Sequence, residues 1–433
     1  MNKSSNAQSA IIGIQHLLAM YAGAVAVPLL IGTGLGLSSS QLTYLISIDI
    51  FMCGVATLIQ LSAGKYFGIG LPVILGCAIQ GVGPAILIGK QSGITAVFGS
   101  IMVAGAALLV CAGFFSKIKR FFPPIVTGTV ITTIGLTLIP VAIEKMGGGN
   151  QTAATFGSPS ALLQAFITIF LILIVQVFGK GFLRSIAVLV GLVGGTFVAA
   201  LMGDVSTQSF QQASWFQLPQ IFYFGKPTFD PVSSILMCII VIVCMVESTG
   251  VYFALAEITG KELTEDDLKR GYRTEGLAIL LGGIVNTFPH TGFSQNVGLV
   301  QLSGIKTRNP LYFSAGFLII LGLFPKIGAL AQVIPDAVLG GGMLVMFGMV
   351  AVAGMRMLAK VDFSDDRNLL IVALSIGFGL GFTIMPGLFS RLPETVQMFT
   401  QNGIVMSSFT AVLLNVLFHR SNLSSESQPI NQE

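Results

Sequence analysis

Fourteen apolar segments, separated by short polar loops, divide this 433-residue chain. A helix that crosses the hydrocarbon core of a bilayer needs about 20 mostly apolar residues, and most of the segments reach that length. They span 11–32, 41–63, 70–88, 95–113, 123–142, 161–178, 184–203, 231–255, 275–287, 291–305, 311–330, 335–355, 368–383 and 402–419. Only 9% of the residues are charged, against about 25% in soluble proteins. We therefore predict an all-α polytopic membrane protein.

Segments 3 (70–88), 9 (275–287) and 10 (291–305) are too short or too broken to be plain spanning helices. Pro72 interrupts segment 3, and Pro289 and Gly292 precede the helical part of segment 10. Proline and glycine disfavour a continuous helix. We predict that segments 3 and 10 each contain an extended piece followed by a short helix, and that the two extended pieces pair as short strands at the centre of the protein.

The two halves of the sequence resemble each other. The stretch 124–135 (PIVTGTVITTIG) echoes 335–346 (PDAVLGGGMLVM), and the two broken segments occupy matching places. With seven segments in each half, the second copy enters the membrane from the opposite side. Such a 7+7 inverted repeat with paired interrupted helices is typical of a transporter with its site near the bilayer midplane.

Loop charges predict the orientation. With the N-terminus in the cytoplasm, 17 of the 22 lysines and arginines fall on the cytoplasmic side, as the positive-inside rule requires. We predict a multi-pass protein of the cytoplasmic membrane with both termini inside. The basic residues lie in short loops, which argues against nucleic acid as a partner.

Glu247 is the most informative single residue. It follows the uncharged run 232–246, and a carboxylate at the centre of a spanning helix costs about 2.5–3.5 kcal/mol on insertion scales. We interpret it as facing the protein interior or a water-filled cavity. The alternative is a carboxylate that reaches water from a helix end.

The stretch 287–298 is predicted to open a half-helix inside the membrane. Ser294 is a suitable N-cap, and Gln295 and Asn296 would lie on the first turn, offering amide donors and acceptors. Free backbone N–H groups would point into the membrane there. A hairpin loop outside the membrane is the alternative.

Several other polar residues in apolar segments allow two interpretations. His16 is either a satisfied structural residue or a proton carrier, and Gln80 is either structural or a ligand. Glu275 could be the last charge of a cytoplasmic loop, and Asp49 is expected to be buried beside an unnamed partner. The loop 261–273, with four basic and four acidic residues, is predicted to be a solvated helix.

Enzyme chemistry is not indicated. The sequence contains no GxSxG, HExxH or P-loop lysine. All five cysteines lie in apolar segments, without CxxC or Cys/His ligand spacing. We predict no catalytic residues, no metal site and no cofactor.

The stretch 295–304 (QNVGLVQLSG) resembles the signature of the nucleobase–ascorbate transporter family, and most closely its bacterial xanthine permease branch. Ser303 replaces the usual threonine and keeps the hydroxyl. The motifs at 15–16 (QH), 71–76 (LPVILG) and 247–250 (ESTG) are also similar to the family. Val251 departs from it, because many members carry an acidic residue there.

The resemblance implies two domains, each assembled from both halves. Residues 1–120 and 231–332 would form a core domain, and residues 121–230 and 333–433 a gate domain. It implies uptake of a purine nucleobase, coupled to protons, by an elevator-like movement of the core against the gate. It also implies a functional role for Glu275, since family members carry an acidic residue twenty places before the signature glutamine.

Xanthine fits these residues chemically. Its ring offers N–H donors beside carbonyl acceptors, so the Glu247 carboxylate can accept two hydrogen bonds and the Gln295 amide can complement a carbonyl. Backbone groups of Ala78 and Ser294 would add bonds, and Phe293 would cover the ring face. A urate permease is the main alternative, and an anion transporter on the same scaffold a weaker one. The expected partners are a purine nucleobase, protons and the lipid bilayer, and a homodimer is left open.

Overall fold

The computed structural model of the chain describes residues 6–118, 123–303, 306–393, 396, 397, 400 and 403–419. Almost all of its regular structure is helical. In chain order the elements are α1 (Asn6–Gly34), α2 (Ser39–Leu61), β1 (Leu75–Cys77), α3 (Val82–Ser92), α4 (Ile94–Ile118), α5 (Pro124–Met146), α6 (Pro159–Phe178), α7 (Phe182–Ser185), α8 (Ala187–Leu201), α9 (Gln208–Gln212), α10 (Pro231–Thr259), α11 (Glu265–Val285), β2 (His290–Gly292), α12 (Gln295–Ser303), α13 (Asn309–Gly322), α14 (Pro325–Ala331), α15 (Asp336–Leu358), α16 (Asp366–Ile384) and α17 (Gly403–Phe418). Single 3₁₀ turns occupy Ile79–Gly81 and Pro386–Phe389.

This architecture confirms the predicted class, an all-α polytopic membrane protein with two short strands in segments 3 and 10. Within the described residues, eight helices are long and apolar enough to cross a membrane, or nine if the bent pair α13–α14 counts as one span. The remaining segments are short or interrupted helices. The total of fourteen segments stays a prediction.

Two segments differ from their predicted form. The ninth begins at Glu265 rather than at 275, because Thr264 and Asp267 form a capping box and the charged stretch continues directly into the apolar helix. The eleventh is bent by 89° between α13 and α14. Pro325 occupies the first turn of α14, where its fixed φ suits the start of a new helix.

The long helix α10 carries Glu247 and is bounded by strong capping signals. Asp230 is its N-cap and accepts a hydrogen bond from the backbone N–H of Ser233, while Pro231 opens the first turn. Hydrogen bonds from the hydroxyl and N–H of Ser233 hold the pKa of Asp230 below its ordinary value. Gly260 ends the helix in the left-handed conformation.

The chain divides into two compact units. The first comprises Met1–Gly113 and Pro140–Met346, and the second comprises Phe114–Ile139 and Phe347–Glu433. In the first unit, α2 packs along α13 and α1, and the two strands lie among these helices and α10. In the second unit, α16 packs along α17, and a hydrogen bond of 2.9 Å joins Thr133 to Ser407.

Glycine lets α4 and α11 approach closely in the first unit. A Cβ atom added to Gly105 would lie 2.4 Å from the backbone nitrogen of Leu280, and one added to Gly276 would lie 2.5 Å from that of Leu109. Close backbone approach over small residues is a general way of packing helices in membranes, where the hydrophobic effect does not drive association.

Gly105→Ala should therefore destabilise the protein. The added methyl group meets backbone atoms that cannot move aside, and overpacking of this kind typically costs about 1–3 kcal/mol. Gly316→Ala in α13 is the matched control, because nothing lies within 4 Å of its added Cβ. Thermal melting of the purified proteins should show a lower midpoint for Gly105→Ala only. Equal midpoints would contradict the predicted tight contact.

Candidate functional site

The two strands pair with each other in the middle of the first unit. They are antiparallel and form three residue pairs. The pairing is extended at both ends, since the N–H of Ala78 donates to Pro289 (2.8 Å) and that of Phe293 donates to Ile74 (2.9 Å). Non-helical backbone at membrane depth has to be satisfied by protein or cavity water. Each strand provides hydrogen-bond partners for many of the backbone groups of the other.

A half-helix follows each strand. Helix α3 has 11 residues and α12 has 9, which correspond to about 16 Å and about 14 Å, roughly half of the hydrocarbon thickness. Ser294 directly precedes the first residue of α12, so it occupies the predicted N-cap position. The strand pair thus lies between two half-helices, one from each half of the sequence.

Glu247 faces this centre from the middle of α10. It is partly buried, and its carboxylate accepts a hydrogen bond from the side-chain amide of Gln80. Gln80 is only 2% exposed and lies in the 3₁₀ turn between β1 and α3. The contact joins residues 167 positions apart and fixes the orientation of the carboxylate beside the start of a half-helix.

A hydroxyl pair ties α10 to the second strand. The Ser248 and Thr291 hydroxyls lie 2.7 Å apart, and the backbone N–H of Gly292 donates to Ser248 over 2.8 Å. Thr291 also donates to the backbone carbonyl of Cys244 (3.0 Å). The hydrogen bonds of Ser248, the next residue in α10, therefore hold Glu247 in position relative to the strands.

Glu275 lies at the centre of a second group of polar side chains. It is wholly buried in α11 and accepts a hydrogen bond from the Tyr252 hydroxyl, which accepts one from the Gln60 amide. The Glu275 and Glu247 carboxylates are close enough to repel each other electrostatically. Glu275 is thus an interior residue and not a loop-edge charge.

Phe293 fills space that two glycines leave open. Its ring lies 2.7 Å from the positions where Gly23 of α1 and Gly76 of β1 would carry a Cβ atom. Ala78 is wholly buried. Its N–H is bonded to Pro289, and its carbonyl accepts from Gly81 (3.1 Å), so in this conformation both backbone groups of Ala78 serve the strand connection.

The first turn of α12 is attached to the first helix. The Asn296 amide is buried and donates to the backbone carbonyl of His16 over 3.3 Å. His16 is itself buried, only 2% exposed. This contact favours a supporting role for both residues. The side chain of Gln295 lies outside the described part of the structure.

One group of potential metal-ligand atoms stands out among the described residues. Asp49 and Cys53 of α2 and His290 of β2 place one such atom each within 4.8 Å of one another, and all three residues are buried. His290 is a neighbour of Thr291, which faces α10. The group lies beside the strand pair on the side of α2.

Three residues with clear contacts to the predicted site were not singled out as functional from the sequence: Ser248, Tyr252 and Thr291. Gln80 is interpreted from the sequence as either structural or a ligand, and the structure places its amide on the Glu247 carboxylate. Tyr252 carried no signal, since a tyrosine in a spanning helix is ordinary. Their partners are remote in sequence, and only the fold brings them together.

Comparison with known proteins gives consistent matches over most of the chain. The sequence profile of Xan_ur_permease, described as a permease family, matches residues 7–388. The xanthine permease of Bacillus subtilis (strain 168) is 52% identical over 422 residues, covering 98% of this chain and 95% of the relative. The uric acid permease PucK of the same organism is 50% identical over 426 residues, covering 98% and 99%.

A solved structure with the same fold comes from a bicarbonate transporter. The transmembrane domain of a cyanobacterium bicarbonate transporter, BicA, superposes with a TM-score of 0.60 over 95% of this chain and 97% of that one. The sequences are only 17% identical. This likeness shows the fold alone.

Proposed function

The chain belongs to the Xan_ur_permease family, and on that premise we propose that it imports a purine nucleobase, xanthine, together with protons. Membership confirms the resemblance drawn from the signature at 295–304, and it makes the protein a multi-pass membrane transporter and not an enzyme. The observation that carries the proposed substrate class, a purine of the xanthine and urate type, is the 52% identity over nearly the full length to a protein named xanthine permease.

The geometry supports this proposal in a specific way. Glu247 is a carboxylate beside the start of the half-helix α3, and Gln80 orients it. A carboxylate can accept two N–H bonds from one edge of a planar purine, and bonds to charged groups are the stronger class. We propose Glu247, Gln295, Ser294, Ala78 and Phe293 as the substrate-binding residues, with Ala78 acting through the second lone pair of its carbonyl, since its N–H is bonded to Pro289. Asn296 and His16 support them, and Glu275 serves proton coupling.

Urate is the second candidate, because PucK is 50% identical over a similar length. The difference of two percentage points does not separate the substrates. An inorganic anion is disfavoured as substrate, because it has no N–H donors to offer the two interior carboxylates, which would repel it. The likeness to BicA concerns the fold.

Uptake of radiolabelled xanthine into cells that express the protein tests the substrate and the coupling together. We expect concentrative uptake that a protonophore abolishes and that excess unlabelled xanthine suppresses more strongly than urate. Stronger suppression by urate would make urate the substrate. Uptake that persists with the protonophore would contradict proton coupling.

We also propose the domain division implied by the family. Residues 1–120 and 231–332 would move as a core against a gate of residues 121–230 and 333–433. Both termini would lie in the cytoplasm and the protein in the cytoplasmic membrane, surrounded by lipid, with a homodimer as the oligomeric state to be tested by crosslinking.

Cysteine labelling tests the orientation. In a background where the exposed Cys111 is replaced by serine, Glu262→Cys before α11 should be protected from an impermeant thiol reagent added to intact cells. Ser206→Cys, in the loop before α9, should be labelled under the same conditions. Both positions are exposed. The reverse pattern would invert the proposed topology.

A further inference from the structure

The loop that joins α8 to α10 has an apolar surface. Residues 205–225 contain no Asp, Glu, Lys or Arg, whereas the loop 261–273 carries four basic and four acidic residues. Four large apolar side chains in this stretch are exposed, namely Trp215 (72%), Phe216, Leu218 and Ile221 (70%). Several exposed apolar side chains close together usually mark a surface that contacts another protein or a membrane.

The backbone of this loop is fixed to the body of the first unit. The N–H of Gln217 donates to the carbonyl of Leu323 over 3.0 Å. The N–H of Phe222 donates to the carbonyl of Ile284 over 2.9 Å. The two bonds enclose residues 218–221 and hold them in register. The exposure of the apolar side chains is therefore a property of the folded loop.

The exposed aromatic residues lie beside the bend between α13 and α14. The Phe216 ring centroid is 6.3 Å from that of Phe324, which directly precedes α14. In the first turn of α14, the Lys326 Nζ atom lies 5.0 Å from the centre of the Trp215 ring, a cation–π contact, and donates to the carbonyl of Phe210 (2.9 Å). The bend is 89°, and a helix turned by that angle from a spanning segment runs along the plane of the bilayer.

Lipid-facing surface continues to both ends of the loop. Phe197 and Leu201 in the last turns of α8 are exposed, and so is Ile235 in the first turns of α10. Exposed apolar residues on such helices face hydrocarbon. The loop thus begins and ends where the lipid-facing surface does.

The composition favours lipid as the occupant of the exposed surface. Tryptophan is enriched at the membrane–water interface, because its ring is apolar and its N–H is polar. Lysine side chains reach the head groups from the same level. A soluble protein partner is usually steered and oriented by charges, and residues 205–225 offer none.

We propose that residues 215–221 dock on the phospholipid bilayer, with Trp215 anchored in the head-group region and Lys326 beside it at the phosphates. On the proposed topology this is the outer leaflet. The docking depends neither on which nucleobase is carried nor on proton coupling, so its test can fail while the proposed transport stands.

The fluorescence of Trp215 tests the proposal directly, because the chain has one tryptophan. The purified full-length protein is reconstituted into phosphatidylcholine vesicles. We expect a large loss of fluorescence when the lipid carries bromine near the head-group end of its acyl chains, and a smaller loss with bromine near the methyl end. Iodide dissolved on both sides of the membrane should cause the smallest loss.

Two variants calibrate this measurement. Trp215→Phe combined with Ile221→Trp moves the reporter along the same surface and should respond like the parent. Trp215→Phe combined with Glu262→Trp moves it to an exposed position before α11 and should respond to iodide more than to brominated lipid. Thermal melting establishes that both variants are folded, and the result with the parent decides the proposal without them.

Two results with the parent would overturn the proposal. A larger loss with iodide than with either brominated lipid would show that Trp215 faces water. Protection from all of the quenchers would show that protein covers the loop, and crosslinking would then identify a second copy of the chain.

Discussion

Glutamine in place of Glu247 should weaken the binding of xanthine at least about tenfold. A hydrogen bond to a charged group contributes about 1.5–3 kcal/mol, and 1.4 kcal/mol corresponds to a factor of ten in affinity. Gln80 adds to the effect, because its amide donates to the carboxylate. An amide at position 247 can also direct its own NH₂ group at the N–H donors of the substrate. The variant would then lose a hydrogen bond as well as the charge.

Calorimetry with purified protein measures this effect. Glu257→Gln is the matched control, since it makes the same change in the same helix at an exposed position and should bind xanthine like the parent. Gln295→Glu should change which nucleobases compete, because it replaces a donor–acceptor amide by an acceptor. Parent-like binding by both Glu247→Gln and Gln295→Glu would place the site elsewhere.

Glu275→Gln should abolish accumulation of the substrate against its gradient while leaving exchange across the membrane intact. Glu275 is wholly buried, bonded to Tyr252 and repelled by Glu247. Negative charge on both carboxylates at once is costly in a medium of low dielectric, so a proton that enters or leaves one affects the other. An amide at 275 cannot release or take up that proton.

Two assays separate coupling from binding. Proton-driven accumulation should fall to simple equilibration in Glu275→Gln, whereas counterflow of labelled against unlabelled xanthine should persist. Tyr252→Phe, which removes the donor but keeps the carboxylate, should show a shifted pH profile of uptake. Glu265→Gln, exposed on the first turn of the same helix, should behave like the parent. Unchanged accumulation in Glu275→Gln would assign the coupling to another group.

Features that depend on local chemistry could be predicted from the sequence. Proline and glycine at Pro72, Pro289 and Gly292 indicated the two interruptions. The first strand lies inside its predicted segment, and the second begins one residue before its segment. The apolar run before Glu247 located the long helix. Most predicted boundaries agree with the structure to within a few residues, because the change from apolar to polar composition marks where a helix leaves the bilayer.

Features that depend on contacts between remote residues could not be predicted. The contact of Gln80 with Glu247 and that of Asp49 with His290 join different elements, and no periodicity carries that information. The continuity of α11 was missed for another reason. Its charged first turns were predicted as a separate solvated helix, but the helix capped by Thr264 and Asp267 runs without a break into the apolar segment.

The strand pair has a consequence for synthesis of the protein. Cys77 pairs with His290, so the first strand has no backbone partner in the membrane until most of the chain has left the ribosome. An unpaired N–H or carbonyl costs several kcal/mol in hydrocarbon. The first half alone is thus an incomplete structure that needs water, lipid head groups or an insertion factor to cover its open strand. Truncated chains that end before residue 290 should therefore be cleared by membrane proteases rather than accumulate as a stable half-transporter.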